Sequence, residues 1–149
     1  MEARRPLPQA VLFACNHNTI RSPMAAALFS LRFGKRVWVD SCGVRKGLEP
    51  DPFVAAVMDE LGIDMNRHRA KTFADLDDAS FDLIITLTPE AHHRALEFTR
   101  TMAVDVEYWP TMDPTIVQGS REQQLEEYRA VRDALAQRIA QRFERPVLG

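Results

Sequence analysis

The chain predicts an α/β fold: a doubly wound, four-stranded parallel sheet in three layers, with strand order 2-1-3-4. Three observations carry this reading. Short apolar runs alternate with helix-like stretches along the whole chain, as parallel β-α units do. Each helical stretch opens on a recognisable cap, Asp51-Pro52, Thr88-Pro89 or Ser120 with Gln123 three residues on. The loop Cys15-Asn16-His17-Asn18-Thr19-Ile20-Arg21-Ser22 follows the first apolar run, at the carboxyl end of a strand, where open sheets bind ligands.

Taken in order, Val11-Leu12-Phe13-Ala14 is the first strand and residues 22–33 its helix, with Ser22 the expected N-cap and Pro23 the first helical residue. Residues 37–40 form the second strand. A helix runs from Pro52 through Leu61, with Gly62 just past its end in the left-handed conformation that closes helices. Residues 81–87 are strand three and 104–109 strand four. The last helix continues to about Phe143, with Leu125, Tyr128, Val131, Leu135, Ile139 and Phe143 on its core face by their three-to-four spacing. At 149 residues, without repeat or linker, one domain over 1–149 is expected, with 1–9 an irregular lead-in.

Composition narrows the partners. A net charge of −2 supplies no field for nucleic acid or an anionic membrane. No apolar run approaches the ~18 residues of a spanning helix, and no secretory h-region is present. Two cysteines, Cys15 and Cys42, do not make a disulfide framework; they fit a reducing, cytoplasmic setting.

The loop carries the chemistry. A strand-to-helix loop aims backbone N–H groups at one point, which suits an oxyanion, and the helix dipole favours a thiolate and a dianion alike. Cys15 is placed to attack the anion's central atom, and Arg21 can hold two of its oxygens in a bidentate fork. These are the parts of a phosphoryl-transfer site. The leaving alcohol needs a proton, and Asp113 in Trp109-Pro110-Thr111-Met112-Asp113-Pro114 is the candidate general acid, held in a stiff proline-bracketed loop. Partial burial beside a bound dianion is expected to raise its pKa.

Together these segments resemble the low-molecular-weight protein tyrosine phosphatase family and the arsenate reductases of the same fold. The likeness rests on Cys15 to Ser22 with Pro23-Met24-Ala25, on Ser41-Cys42-Gly43 and on Asp113-Pro114. Asp59 to Asp64, His68-Arg69 and Phe81 to Thr86 support it in the right order. The resemblance implies Cys15 as nucleophile, Arg21 as phosphate ligand and Asp113 as general acid. It makes Asn16, His17, Asn18, Thr19, Ile20, Arg21 and Ser22 the phosphate-binding loop, braced by Asn18, Ser22 and Ser41. It implies neither metal nor cofactor.

The departures are specific. His17 stands where the family usually has glycine, and His17-Asn18 is similar to one branch of arsenate reductases. Ile20 replaces the usual second loop cysteine, and Thr86 to Ala95 holds no resolving cysteine. Residues 43–48 and 114–117 lack the aromatic residues of tyrosine-specific members. Thr19 resembles the threonine of phosphoarginine-selective relatives. His17 sits either at the rim or as a brace. Cys42 is either a buried small residue or a disulfide partner for Cys15 under oxidation. His92-His93-Arg94 reads as a surface helix face rather than a metal site.

Three functions are expected in descending order. The first is a metal-independent phosphomonoesterase, acting on a phosphorylated protein or small phosphomonoester and binding inorganic phosphate or other oxyanions. The second is an arsenate reductase resolved by an external thiol, and the third a non-catalytic oxyanion-binding module.

Overall fold

The computed structural model describes residues 7–47, 49–76 and 80–144. Most of the predicted lead-in, residues 1–6, and Leu48 in the 43–48 stretch lie outside the described residues.

The first strand, β1 (Ala10–Cys15), takes the interior of the sheet because Val11, Leu12, Phe13 and Ala14 are apolar toward both faces and fully buried. β2 (Trp38–Gly43) and β3 (Leu83–Thr86) flank it, and β4 (Asp105–Tyr108) lies beside β3. All pairs are parallel and the order is β2-β1-β3-β4, as predicted. Strand limits differ from the sequence windows most at the start of β3 and the end of β2. β3 starts late because the Asp82 carboxylate accepts from the N–H groups of Gln9 and Ala10 at 2.9 and 2.8 Å, so it closes the start of β1. β2 runs on to Gly43, with Ser41 and Cys42 registered against Phe13 and Ala14.

Helices α1 (Arg21–Phe33), α2 (Pro52–Asp59) and α4 (Arg121–Phe143) cover one face, and α3 (Pro89–Phe98) covers the other. Three caps match the sequence. Asp51 accepts from the amides of Phe53 and Val54, Thr88 from Ala91, and Ser120 with Gln123 forms a reciprocal capping box. Each such cap is typically worth about 1 kcal/mol. Gly62, at φ +75°, donates to the Asp59 carbonyl while Ile63 donates to Met58, which closes α2 as expected.

The cap of α1 is a correction. The helix begins at Arg21 with Ile20 before it, and no side chain caps it. Ser22 lies inside the first turn and its hydroxyl is turned to the cysteine instead. The larger core holds Phe13, Phe29, Phe33, Trp109 and Phe143, with neighbouring ring centroids 4.9–6.4 Å apart. Trp109 thereby anchors the segment after β4 in the core. Among the described residues no helix is long and apolar enough to cross a membrane.

Candidate active site

Cys15 ends β1 and Arg21 begins α1, so the intervening loop must reverse direction within five residues. Segments packed outside the loop take its carbonyls. The N–H groups of Val44, Arg45 and Gly47 donate to the carbonyls of Cys15, Asn16 and His17 at 3.0, 2.8 and 3.0 Å. The His68 Nε2–H donates to the Asn18 carbonyl at 2.7 Å. In a trans peptide the N–H points opposite to the C=O. Four carbonyls drawn outward therefore turn the amides of Asn16, His17, Asn18 and Thr19 toward the loop's centre, the arrangement an anion needs.

Asn18 makes the tight turn possible. It is fully buried with φ +60°, a conformation asparagine tolerates better than most residues. Its Nδ2 donates to the hydroxyls of Ser22 and Ser41 at 2.8 and 2.9 Å, and its Oδ1 accepts from the Lys71 amide at 3.0 Å. Asn18, Ser22 and Ser41 are thus brought together beneath the loop. Gly43 permits the close approach, since a Cβ there would lie 2.9 Å from the Asn16 and Arg45 carbonyl oxygens. On the other side, Thr88 caps α3 and also donates to Asn16 Oδ1 at 2.7 Å.

The cysteine sulfur meets Ser22 twice, 2.9 Å from its Oγ and 3.4 Å from its amide nitrogen. Ser22 Oγ already accepts from Asn18 and has one proton, with two possible acceptors, Cys15 Sγ and the Cys42 carbonyl at 3.2 Å. A thiolate at Cys15 draws that proton to itself; a thiol donates to Ser22 and leaves the hydroxyl to the carbonyl. The hydrogen bonding thus accommodates either form without stranding a buried polar atom.

Arg21 joins this loop to the segment carrying Asp113. Its Nη1 donates to the Thr111 carbonyl at 2.9 Å, 90 residues away in sequence. That segment hangs from β3 and the core, with the Trp109 amide donating to Thr86 and the Thr111 amide to Leu87. Asp113 is half-buried and caps a single 3₁₀ turn, Pro114–Ile116. Its Oδ1 accepts from the Thr115 amide at 2.9 Å and the Thr115 hydroxyl at 2.7 Å. Burial does oppose ionisation, but the Thr115 donors and the charges of Arg21 and His17 outweigh it and hold the carboxyl below its usual range.

The remaining candidates sort by geometry. His17 is exposed at the rim and its carbonyl is held by Gly47. Thr19 and Ile20 are half-buried, Ile20 against the core. The Cys42 disulfide is ruled out by register: Cys42 pairs with Ala14 and Cys15 with Gly43, so the two side chains leave the sheet on opposite faces. Both thiols are free, and burial, reinforced by neighbouring Cys15, pushes the Cys42 thiol far up. His92 stacks on Tyr108 and bonds Thr86, His93 meets Glu97, and Arg94 lies over Phe73. Among the described residues no group of three or more metal-ligating side chains assembles.

Sequence reasoning gave His68 no role of its own, took Thr88 only as a helix cap and did not single out Thr111 or Thr115. Burial, with a smaller part from Lys71 and Arg69, pulls the His68 imidazole below its usual range, against the opposing pull of its Asn18 bond and Asp40, which favours the neutral ring as donor to Asn18. The one signal available was His68-Arg69 within the resemblance.

Comparison with known proteins agrees with this fold. The low-molecular-weight protein-tyrosine-phosphatase of Streptomyces coelicolor is 32% identical over 120 residues, covering 73% of this chain and 72% of that protein. The arsenate reductase of Bacillus subtilis is 29% identical over 134 residues, covering 87% and 91%. The crystal structure of the low-molecular-weight protein tyrosine phosphatase of T. tengcongensis superposes with a TM-score of 0.75 at 27% identity, covering 91% of this chain and 97% of that one. The family model for low molecular weight phosphotyrosine protein phosphatase matches residues 10–145, nearly the span from the start of β1 to the end of α4, and the chain belongs to that family.

Proposed function

We propose that the protein is a metal-independent, cysteine-dependent phosphomonoesterase. The supporting observation is the junction at Arg21, where a loop whose amides face one point is tied to the segment bearing Asp113. The Cys15 thiolate attacks phosphorus, the bond to the leaving oxygen breaks, and Asp113 gives its proton to that oxygen. Water then attacks the thiophosphate, Asp113 takes the water proton, and phosphate departs with the thiolate restored. A phosphate dianion beside Asp113 opposes the bias of Thr115 and Arg21 and favours the protonated acid needed in the first step. Arg21 and the loop amides stabilise the equatorial oxygens as charge shifts in the transition state. The mechanism needs a reduced thiol, which assigns the enzyme to a reducing compartment, the cytoplasm. Substrates of this reading are phosphorylated proteins or small phosphomonoesters.

The test is hydrolysis of p-nitrophenyl phosphate by reduced protein without added metal, beside Cys15→Ser. Turnover should fall by a factor of about 10³ or more in the variant while phosphate still binds. Substantial residual hydrolysis would refute the thiol mechanism.

A second reading follows from the arsenate reductase likeness. There the thiolate attacks arsenate and a protonated oxygen leaves as water; an external thiol then attacks the Cys15 sulfur to form a mixed disulfide, and arsenic leaves with the S–As electron pair as arsenite. An external thiol is required because Cys42, the second of two cysteines, faces the wrong side of the sheet. Arsenite production with added thiol, without p-nitrophenyl phosphate hydrolysis, would favour this reading.

A further inference from the structure

Beside the phosphate loop lies a cleft of about 360 Å³ that the mechanism above does not use. Its walls include Thr19 of the loop, Lys46 and Gly47 after β2, Glu49, and His68 with Arg69. The same two segments hold the loop's carbonyls, through Val44, Arg45, Gly47 and His68, so the cleft is continuous with the loop's outer rim. Thr19 belongs to both.

Cations outnumber carboxylates on these segments. Arg45 and Lys46 stand on one and Arg67, Arg69 and Lys71 on the other, in a chain whose net charge is −2. Lys71 is paired with Asp40 at 2.7 Å. Arg69 is fixed differently. Its Nη1 donates to the carbonyls of Asn66 and His68, both at 2.9 Å, which orders the guanidinium without cancelling its charge. Glu49 is the opposing carboxylate in the wall. The 43–47 stretch presents Arg45-Lys46 and no aromatic ring, so it offers a charge partner where an aryl wall would select a phenyl group.

We infer that this cleft is an accessory anion subsite, which takes a second negative group, a carboxylate or second phosphate, of the same phosphomonoester whose first phosphate enters the Cys15 loop. The inference rests on the phosphomonoesterase reading and narrows it to substrates with two anionic groups. An arginine already oriented by its own backbone loses little freedom on binding such a group. Both groups are exposed at the rim, so the attraction is screened by salt.

The experiment compares kcat/KM for two phosphotyrosyl peptides, flanked by Asp and Glu or by Lys, and for a linear alkyl bisphosphate against its monophosphate. p-Nitrophenyl phosphate is the reference. The doubly anionic substrates should be preferred by about tenfold at low ionic strength, with the ratio shrinking as salt rises. In Lys46→Glu/Arg69→Glu the ratio should fall to about one or reverse. Arg100→Glu, beyond the far end of α3 and so ~15 Å from its loop end, makes a charge change of the same kind and should leave the ratio unchanged. Should the double variant fail to fold, Lys46→Met/Arg69→Gln carries the same test. A preference confined to the peptides assigns the second group as carboxylate, and one confined to the bisphosphate assigns it as phosphate. Equal kcat/KM across each pair, or an equal effect of Arg100→Glu, would overturn the subsite alone. No hydrolysis of p-nitrophenyl phosphate would overturn the underlying reading with it.

Discussion

The phosphate loop and the segment bearing Asp113 are built on opposite plans. The loop is held from beneath by Asn18, Ser22 and Ser41, from outside by residues 44–47 and His68, and from the side by Thr88. Asn18, Ser22, Ser41 and Thr88 are buried, and most of the bracing bonds join residues distant in sequence. The Asp113 segment is anchored at Trp109 and at buried Pro114, with exposed Met112 between them and a short local network around Thr115. One region fixes geometry by many mutual constraints; the other keeps a carboxyl in place while leaving it open to solvent and substrate. Loops that bind anions by backbone amides need the first plan, because an amide displaced by 1 Å no longer meets its oxygen.

The largest test of this contrast is Asn18→Ala. It strips two hydroxyls of a donor and one buried amide of its acceptor, and sets alanine at φ +60°. Urea unfolding should show a loss of roughly 3–5 kcal/mol, and kcat should fall about 10²-fold. Little change in either would mean that the loop is not held as described.

Asp113→Asn should leave stability within about 1 kcal/mol, because the segment keeps its anchors at Trp109 and Pro114. Turnover of alkyl phosphates should fall about 10²- to 10⁴-fold, and that of p-nitrophenyl phosphate much less, since a good leaving group needs little proton assistance. An equal loss on both substrates would contradict the general-acid role.

Thr115→Val sharpens the comparison through pH. The Thr115 hydroxyl lowers the Asp113 pKa by bonding its charged form. Removing it raises that pKa, so the acid stays protonated to higher pH. The alkaline limb of kcat for an alkyl phosphate should therefore move upward in pH. A downward shift would place the hydroxyl's effect elsewhere. Smallest of all, Met112→Ala, with its side chain 59% exposed, should change stability by no more than ~0.5 kcal/mol. A larger loss by thermal unfolding would show that the segment relies on packing at its crest.

The same contrast explains what the sequence disclosed. Sheet order and helix caps were legible because they depend on local patterns: the apolar run through Phe13, the Asp51, Thr88 and Ser120 caps, and Gly62. The arrangement around Cys15 was legible as a motif but not as a network. His68 and Thr88 reach the loop across 50 and 72 residues, and no spacing rule connects them. Ser22 has the identity of a cap, yet its hydroxyl is taken by Cys15 and Asn18, so tertiary bonding overrode a local preference. The local bias on Asp113 was hidden for a similar reason. Burial was foreseeable from the prolines, whereas the two Thr115 donors that outweigh it depend on a turn seen only in three dimensions.

The placement of Cys15 and Cys42 on opposite faces of the sheet bears on how the protein meets peroxide. A sulfenic acid formed at Cys15 has no second thiol of the chain within reach to trap it, because Cys42 is buried in the other layer. Recovery then depends on glutathione or another mobile thiol arriving before a second oxidant does, and past that point the sulfinic acid does not return. Each encounter becomes a race between two solutes, so the surviving activity after an oxidative pulse should track the surrounding thiol concentration rather than any internal safeguard.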